Sequence, residues 1–245
     1  MVFNPLLKVE ESTKNGYIPM DIYKTIKNRF HLVAKGIKRI ETASNLYYPF
    51  YYVEPNLILC ESEIETANVG IFFARTIPIP LESNELRIII QISAPLIVYG
   101  LLGTIHAILA HEFMHYLDLV NRIIQMKITS EEIADTLFEE TYLDDSRALD
   151  PRIVFRQDRT LTRHILNRFP QGFKDVRLEE KVIRHWISQG LPTSKVPINT
   201  NAIKIPIESI SRLNVDEIVR QKIFEFESLE ETLRKKSMYG NDKRF

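Results

Sequence analysis

The period of the apolar positions changes along the chain, and the changes mark its elements. Residues 1–19 show no sustained period, and Asn15-Gly16 and Pro19 are turn signals, so an irregular start is expected. From Met20 to Thr42, Ile22, Ile26, Phe30, Val33 and Ile37 recur at helical spacing. Lys24, Lys27, Lys35, Lys38 and Arg39 take the other faces, which reads as an amphipathic helix with a solvated basic side. Leu46 to Glu61, Val69 to Ile77 and Leu86 to Ile92 are aromatic and β-branched runs broken by Pro49, Pro55, Pro78 and Pro80, and predict three or four strands. The tyrosines among them (Tyr47, Tyr48, Tyr51, Tyr52) lack interleaved basic residues and read as sheet packing rather than a base-stacking platform. Gly103-Thr104 then starts a helix, with Thr104 as its cap, that runs to about Gln125. After a turn at Lys127–Ser130, Ser130 with Glu131 and Glu132 starts the next helix, where acids suit the dipole.

Asp150-Pro151 breaks that helix. Val182, Ile183, Trp186 and Ile187 predict a helix ending at Gly190, and Leu191 to Ile207, with Pro192, Pro197 and Pro206, an extended connector. Asn214, with Glu217 three residues on, caps a last helix whose apolar side includes Ile218, Ile223, Phe224 and Leu229. The tail from Gly240 to Phe245 reads as loose. The order predicts an α+β fold with a mainly helical C-terminal region. Two units are expected, 1–149 and 150–245, the second separate or packed on the first as one body.

Composition narrows the picture little. Hydrophobic residues make up 44% of 245, enough for a full core, and Lys+Arg and Asp+Glu are equal at 32, so no global charge points to a polyanionic partner. The single Cys60 excludes an internal disulfide. Met1 to Glu11 lacks the apolar run of a secretory signal, and a cytoplasmic location is expected. Ile88 to His111 carries no Asp, Glu, Lys or Arg and is long enough to cross a bilayer. Its β-branched start and its Gln91, Pro95, Gly100 and Gly103 favour a buried segment of a soluble fold over a membrane-associated one.

The chemistry lies in Ile108–Leu117, which contains His111-Glu112-Phe113-Met114-His115. On a helix, positions i and i+4 share a face, so His111 and His115 can turn their imidazoles toward one ion. Glu112 sits one step round, where a carboxylate can reach a water on that ion and take its proton. The other residues of the stretch are uncharged, as a buried metal-binding helix requires.

On this motif and on the order of elements, residues 20–148 resemble the zincin metallopeptidases. The resemblance implies a backing helix, a small mixed sheet whose edge strand lines the cleft, and two metal-bearing helices. It implies a zinc cofactor, a peptide or protein substrate, and Glu112 as general base. Leu86 to Ser93 is the candidate cleft strand on that resemblance. The His of the metzincins is lacking, since Asp118 and Asn121 stand at that pattern's Gly and His places. The gluzincin arrangement, a carboxylate on the following helix, is therefore expected.

Geometry orders the acids. His115 to Gln125 spans about 15 Å of helix. An antiparallel helix starting near Ser130 draws level with His115 at Glu139 or Glu140. Glu140 shares the apolar stripe of Ile133 and Leu137 and is the first choice for third ligand, with Glu139 and Glu131 as alternatives. By resemblance to gluzincins, Asp144, one turn after Glu140, would orient a metal-bound imidazole, with Asp145 in reserve. Tyr142, His164 and His185 are available as oxyanion donors; His106 and His31 read as packed or solvated.

Arg152, Arg156, Arg159 and Arg163 follow steps of four, three and four and are expected on one helical face. Arg168, Lys174, Arg177, Lys181 and Arg184 continue the basic run against Asp158, Asp175, Glu179 and Glu180. Internal pairing or solvation is the favoured reading of this surface. The alternative to a peptidase is a catalytically inactive zincin-scaffold protein that uses Arg152–Arg184 to bind RNA or a protein partner.

Overall fold

A computed structural model describes residues 3–61, 69–81, 83, 85–124, 149–170, 172–197 and 212–240. The fold is α+β, with one continuous apolar cluster reaching from Leu6 to Phe226 and drawing on both halves of the chain.

The first helix, α1 (Leu7–Lys14), occupies part of the stretch expected to be irregular. Only Val9 and Ser12 of it are buried, so its apolar stripe is too short to show as a period. The long helix α2 (Met20–Ser44) follows the expected stripe, with Ile26, Val33, Ile37 and Ile40 buried. It ends at Asn45, whose φ of 58° is the left-handed geometry that asparagine tolerates better than most residues.

Five strands follow: β1 (Tyr51–Glu54), β2 (Leu57–Glu61), β3 (Val69–Phe72), β4 (Ala74–Pro80) and β5 (Leu86–Ser93). They divide between two three-stranded sheets. In the first, β5 lies between β1, parallel to it, and β4, antiparallel to it. Leu86, Ile88, Ile90 and Ile92 of β5 are almost wholly buried, as a central strand requires. β5 is therefore not at an edge; the edges are β1 and β4, and in β4 Pro78 and Pro80 remove N–H donors that a central strand would need.

The second sheet has the order β3-β2-β6. Its third member, β6 (Thr193–Pro197), lies in the stretch expected to be a connector and pairs parallel with β2, Leu57 opposite Thr193. A pairing across so much chain leaves no local mark.

After a short helix α3 (Ala94–Tyr99) comes α4 (Leu102–Ile124), which carries the histidines. It starts two residues before Thr104, whose hydroxyl donates to Asp175 rather than capping the helix. α4 is buried on almost every side, which its nearly uncharged sequence allows. No described helix is long and apolar enough to cross a membrane, and Ile88–His111 divides into β5, α3 and the first half of α4.

Gly36 of α2 sets how closely α2 and α4 approach. A Cβ there would stand 2.8 Å from His106 Cδ2 and 2.9 Å from Leu109 Cδ1, both on buried side chains. Overpacking at such a site costs about 1–3 kcal/mol, and the helix-propensity gain over glycine returns about 0.5–1 kcal/mol. Gly36→Ala should therefore lower the melting temperature by a few degrees in a thermal unfolding scan. A rise instead would show that the two helices part freely.

Beyond residue 148 come α5 (Pro151–Val154), α6 (Arg159–Arg168), α7 (Val176–Val182) with a π-helical turn (Ile183–Ile187), and α8 (Glu217–Gly240). Asp150, Asp158 and Asp175 cap α5, α6 and α7 through their carboxylates. Trp186 is fully buried and donates to the carbonyl of Pro192 at 2.9 Å, fixing the chain's entry into β6. The last helix begins at Glu217 rather than after Asn214, and it is Asp216 that accepts from the N–H of Ile218. α6 packs along α4, and Arg39 of α2 clasps the capping carboxylate of Asp158 with two hydrogen bonds, one of 2.8 Å.

Candidate metal centre

α4 brings His111 and His115 onto one face, as their spacing requires, and both are buried. Their Nε2 atoms lie 2.8 Å apart, so one ring donates and the other accepts. Burial lowers the His111 pKa to about 3, so the imidazole is neutral, the form in which it ligates a metal. The His111 ring also lies flat against Phe169, with centroids 3.8 Å apart and planes 9° from parallel.

Glu112 points toward β4. The hydroxyl of Thr76 lies 2.9 Å from its carboxylate Oε2 and 2.9 Å from its backbone carbonyl. Burial pushes the Glu112 carboxyl up to about 7, against the opposing pull of the Thr76 hydrogen bonds and the Arg75 charge. Beside Glu112, Tyr48 stacks on Phe113 and donates to the carbonyl of Leu109 at 2.9 Å. Burial holds the Tyr48 phenol well above the ordinary tyrosine range, with the neighbouring Glu112 charge adding to it.

These three motif residues open on a cavity of about 390 Å³. Its walls are Gly70–Ala74 from the end of β3 and the start of β4, Ile108 of α4, Phe169, Gly172 and Phe173 between α6 and α7, and Glu179 and Ile183 beyond. The wall is apolar apart from the motif and Glu179. Burial raises the Glu179 pKa, and the nearby Asp175 charge adds to the rise.

No family model, curated protein or solved structure matches the chain.

The donors fit zinc in kind: two neutral imidazoles beside a buried carboxylate. At ordinary Zn–N lengths of about 2.0–2.1 Å, tetrahedral ligands stand about 3.3 Å apart, so the pair would open by about 0.5 Å to take the ion. In number the set is one short, because no group of three or more potential ligands converges among the described residues. Glu131, Glu139, Glu140, Asp144, Asp145 and Tyr142 all lie outside the described residues.

The other sequence candidates go elsewhere. His164 lies 3.4 Å from an Arg168 nitrogen, and the His185 ring lies tilted beside Tyr99, centroids 6.1 Å apart; neither lines the cavity. His106 donates from Nε2 to the carbonyl of Leu32 at 3.2 Å, and burial lowers its pKa. His31 is exposed and donates to the carbonyl of Asn28. The strand that hydrogen-bonds the motif and reaches the cavity wall is β4, through Thr76 and Ala74, whereas Leu86–Ser93 is the central strand and contributes no residue to that wall.

Sequence reasoning did not single out Thr76, Phe169 or Phe173, and Glu179 only as one acid of the C-terminal run. Nothing marks Thr76 within its strand. Phe169-Pro170 and Gly172-Phe173 carried a signal, two aromatics around a turn, that fits a loop folded back on an apolar cleft.

Proposed function

We propose that the protein is a zinc-dependent peptidase of gluzincin type on a zincin-like scaffold, with α2 as backing helix and β4 as cleft strand. The observation that carries this reading is the meeting of the His111 and His115 Nε2 atoms, 2.8 Å apart, at the wall of a cavity that Glu112 shares. A buried carboxyl with a pKa of about 7 is suited to exchange protons at neutral pH.

His111 and His115 would hold the ion, with Glu140 first among the acids that could complete the set. Zinc, when bound, supplies a water acidified to near neutrality and a Lewis acid for the peptide carbonyl. Glu112 takes the proton of the attacking water and passes it to the leaving amine. Thr76 holds the carboxylate in place through Oε2. Phe169 and Phe173 keep bulk water from the histidine side of the cleft.

The test is metal analysis of the purified full chain together with a peptide-hydrolysis assay. About one zinc per chain is expected, with cleavage that chelation abolishes and zinc restores. A chain that retains no zinc, or cleavage indifferent to chelation, would refute the reading.

A further inference from the structure

A second concave site lies on the outer side of α6. Arg152, Arg156, Arg159 and Arg163 were expected on one continuous helical face. The helix is in fact broken between α5 and α6, yet all four arginines line one cavity of about 420 Å³. Thr162, Leu166 and Asn167 complete its wall. This site is separate from the histidine cavity: α6 buries Leu161 and Ile165 and presents Arg159 and Arg163 to solvent.

Among the described residues the charge here is poorly balanced. Asp150 stands 3.8 Å from Arg152 and Glu225 3.6 Å from Arg156, both long for hydrogen-bonded ion pairs. Asp158, the nearest acid in sequence to Arg159, is committed to Arg39 and to the N–H of Leu161. Arg159 is also the first residue of α6, at the positive end of the helix dipole, where a cation is disfavoured. Four guanidinium groups around one hollow repel each other unless an anion enters.

The residue type narrows the anion. The basic side of α2 is mostly lysine, whereas every basic residue of this cavity is arginine. The planar guanidinium fork matches the paired oxygens of phosphate, and several forks in one hollow match several phosphates. The shape narrows it further. The volume lies within the roughly 300–1,000 Å³ of small-molecule sites, whereas even a single nucleic-acid-binding module buries an extended surface of about 600 Å² or more.

We propose that the arginine cavity binds a chain of linked phosphates, either free or as the triphosphate of a nucleotide. The proposal is independent of the metal centre. It is tested by titration calorimetry of the full chain with tripolyphosphate, with ATP and with a short single-stranded RNA. Tripolyphosphate and ATP should both bind, and Arg159→Gln/Arg163→Gln should weaken each by about 100-fold, roughly tenfold for each charge-assisted hydrogen bond removed. Equal binding of the two ligands identifies the phosphate chain itself as the source, and tighter binding of ATP identifies a nucleotide; both support the proposal. A control, Arg177→Gln/Arg184→Gln, removes exposed arginines outside the cavity and should leave binding within about twofold. Both variants keep His111 and His115, so any phosphate drawn to a metal there affects them alike. The proposal fails if neither phosphate ligand binds at millimolar concentration, if the double variant binds as the parent does, or if only the RNA binds.

Discussion

Glu112→Gln should lower peptide hydrolysis by about 10³-fold while leaving the zinc content near one per chain. The amide keeps the size of the carboxyl and still offers an oxygen to the Thr76 hydroxyl, 2.9 Å from Oε2 in the parent. It cannot take a proton from water, and a positioned general base supplies about 10²–10⁴-fold. The variant also carries a stability signature in the metal-free state. The folded pKa of Glu112 is raised to about 7 from an ordinary value of 4.5, because burial disfavours the charged form. Below pH 4.5 both states are protonated and the carboxyl costs nothing; above pH 7 the full cost is present, about 3 kcal/mol at this shift. The glutamine variant should therefore melt above the parent at pH 7.5, and the gap should close as the pH falls toward 4.5. Hydrolysis at the parent rate would remove Glu112 from the mechanism. A gap that does not change with pH would mean that the carboxyl is solvated.

A buried acid without a close counter-ion is held at a cost in stability that a paired one avoids. Among the described residues, Glu112 has no cation in a close ion pair; the groups that steady it are the hydroxyl and the backbone of Thr76 and the charge of Arg75. Asp158 is the contrasting case in the same molecule. Its pKa is lowered, first by the hydrogen bonds from Arg39, and it joins α2 to the start of α6.

How much of this was legible in the sequence follows from the range of each interaction. Helix α2 was readable because its stripe from Ile22 to Ile37 is long and regular. The face shared by His111 and His115 was readable because i and i+4 on a helix leave no choice. Strand existence was readable from the runs around Tyr51, Val69 and Ile88; strand order was not. That β5 is central and β4 lies at the edge depends on which strands pair; Pro80 does end β4, but Pro78 sits inside it. The reading of β6 as a connector failed for the same reason, since its partner is β2. Helix starts failed locally: Thr104 and Asn214 are good capping residue types, but Thr104 is engaged by Asp175, and Asp216 serves the last helix. In the site, Thr76 and Phe169 come from strand and loop, and only the folded chain sets them against the motif.

His115→Ala should weaken zinc binding by about 100-fold or more without unfolding the chain. Structural zinc sites with four ligands bind with about 10–16 kcal/mol, or about 2.5–4 kcal/mol for each ligand, and each 1.4 kcal/mol is tenfold in affinity. His111→Ala should do the same, because the two Nε2 atoms meet at one point and neither imidazole is a bystander. The readout is competition with a chromophoric chelator, with circular dichroism as the check on folding. Gly103, whose Cβ would face His164 at 3.3 Å, marks where a control belongs: His164→Ala changes a histidine beside α4 that lies outside the cavity, and its zinc affinity should match the parent. If His115→Ala holds zinc within about threefold of the parent, the histidine pair is a packed hydrogen bond and the metal, if any, binds elsewhere. If both ligand variants lose zinc and the control does not, the ion sits where α4 presents its two imidazoles, and what is left to find is the acid that completes it.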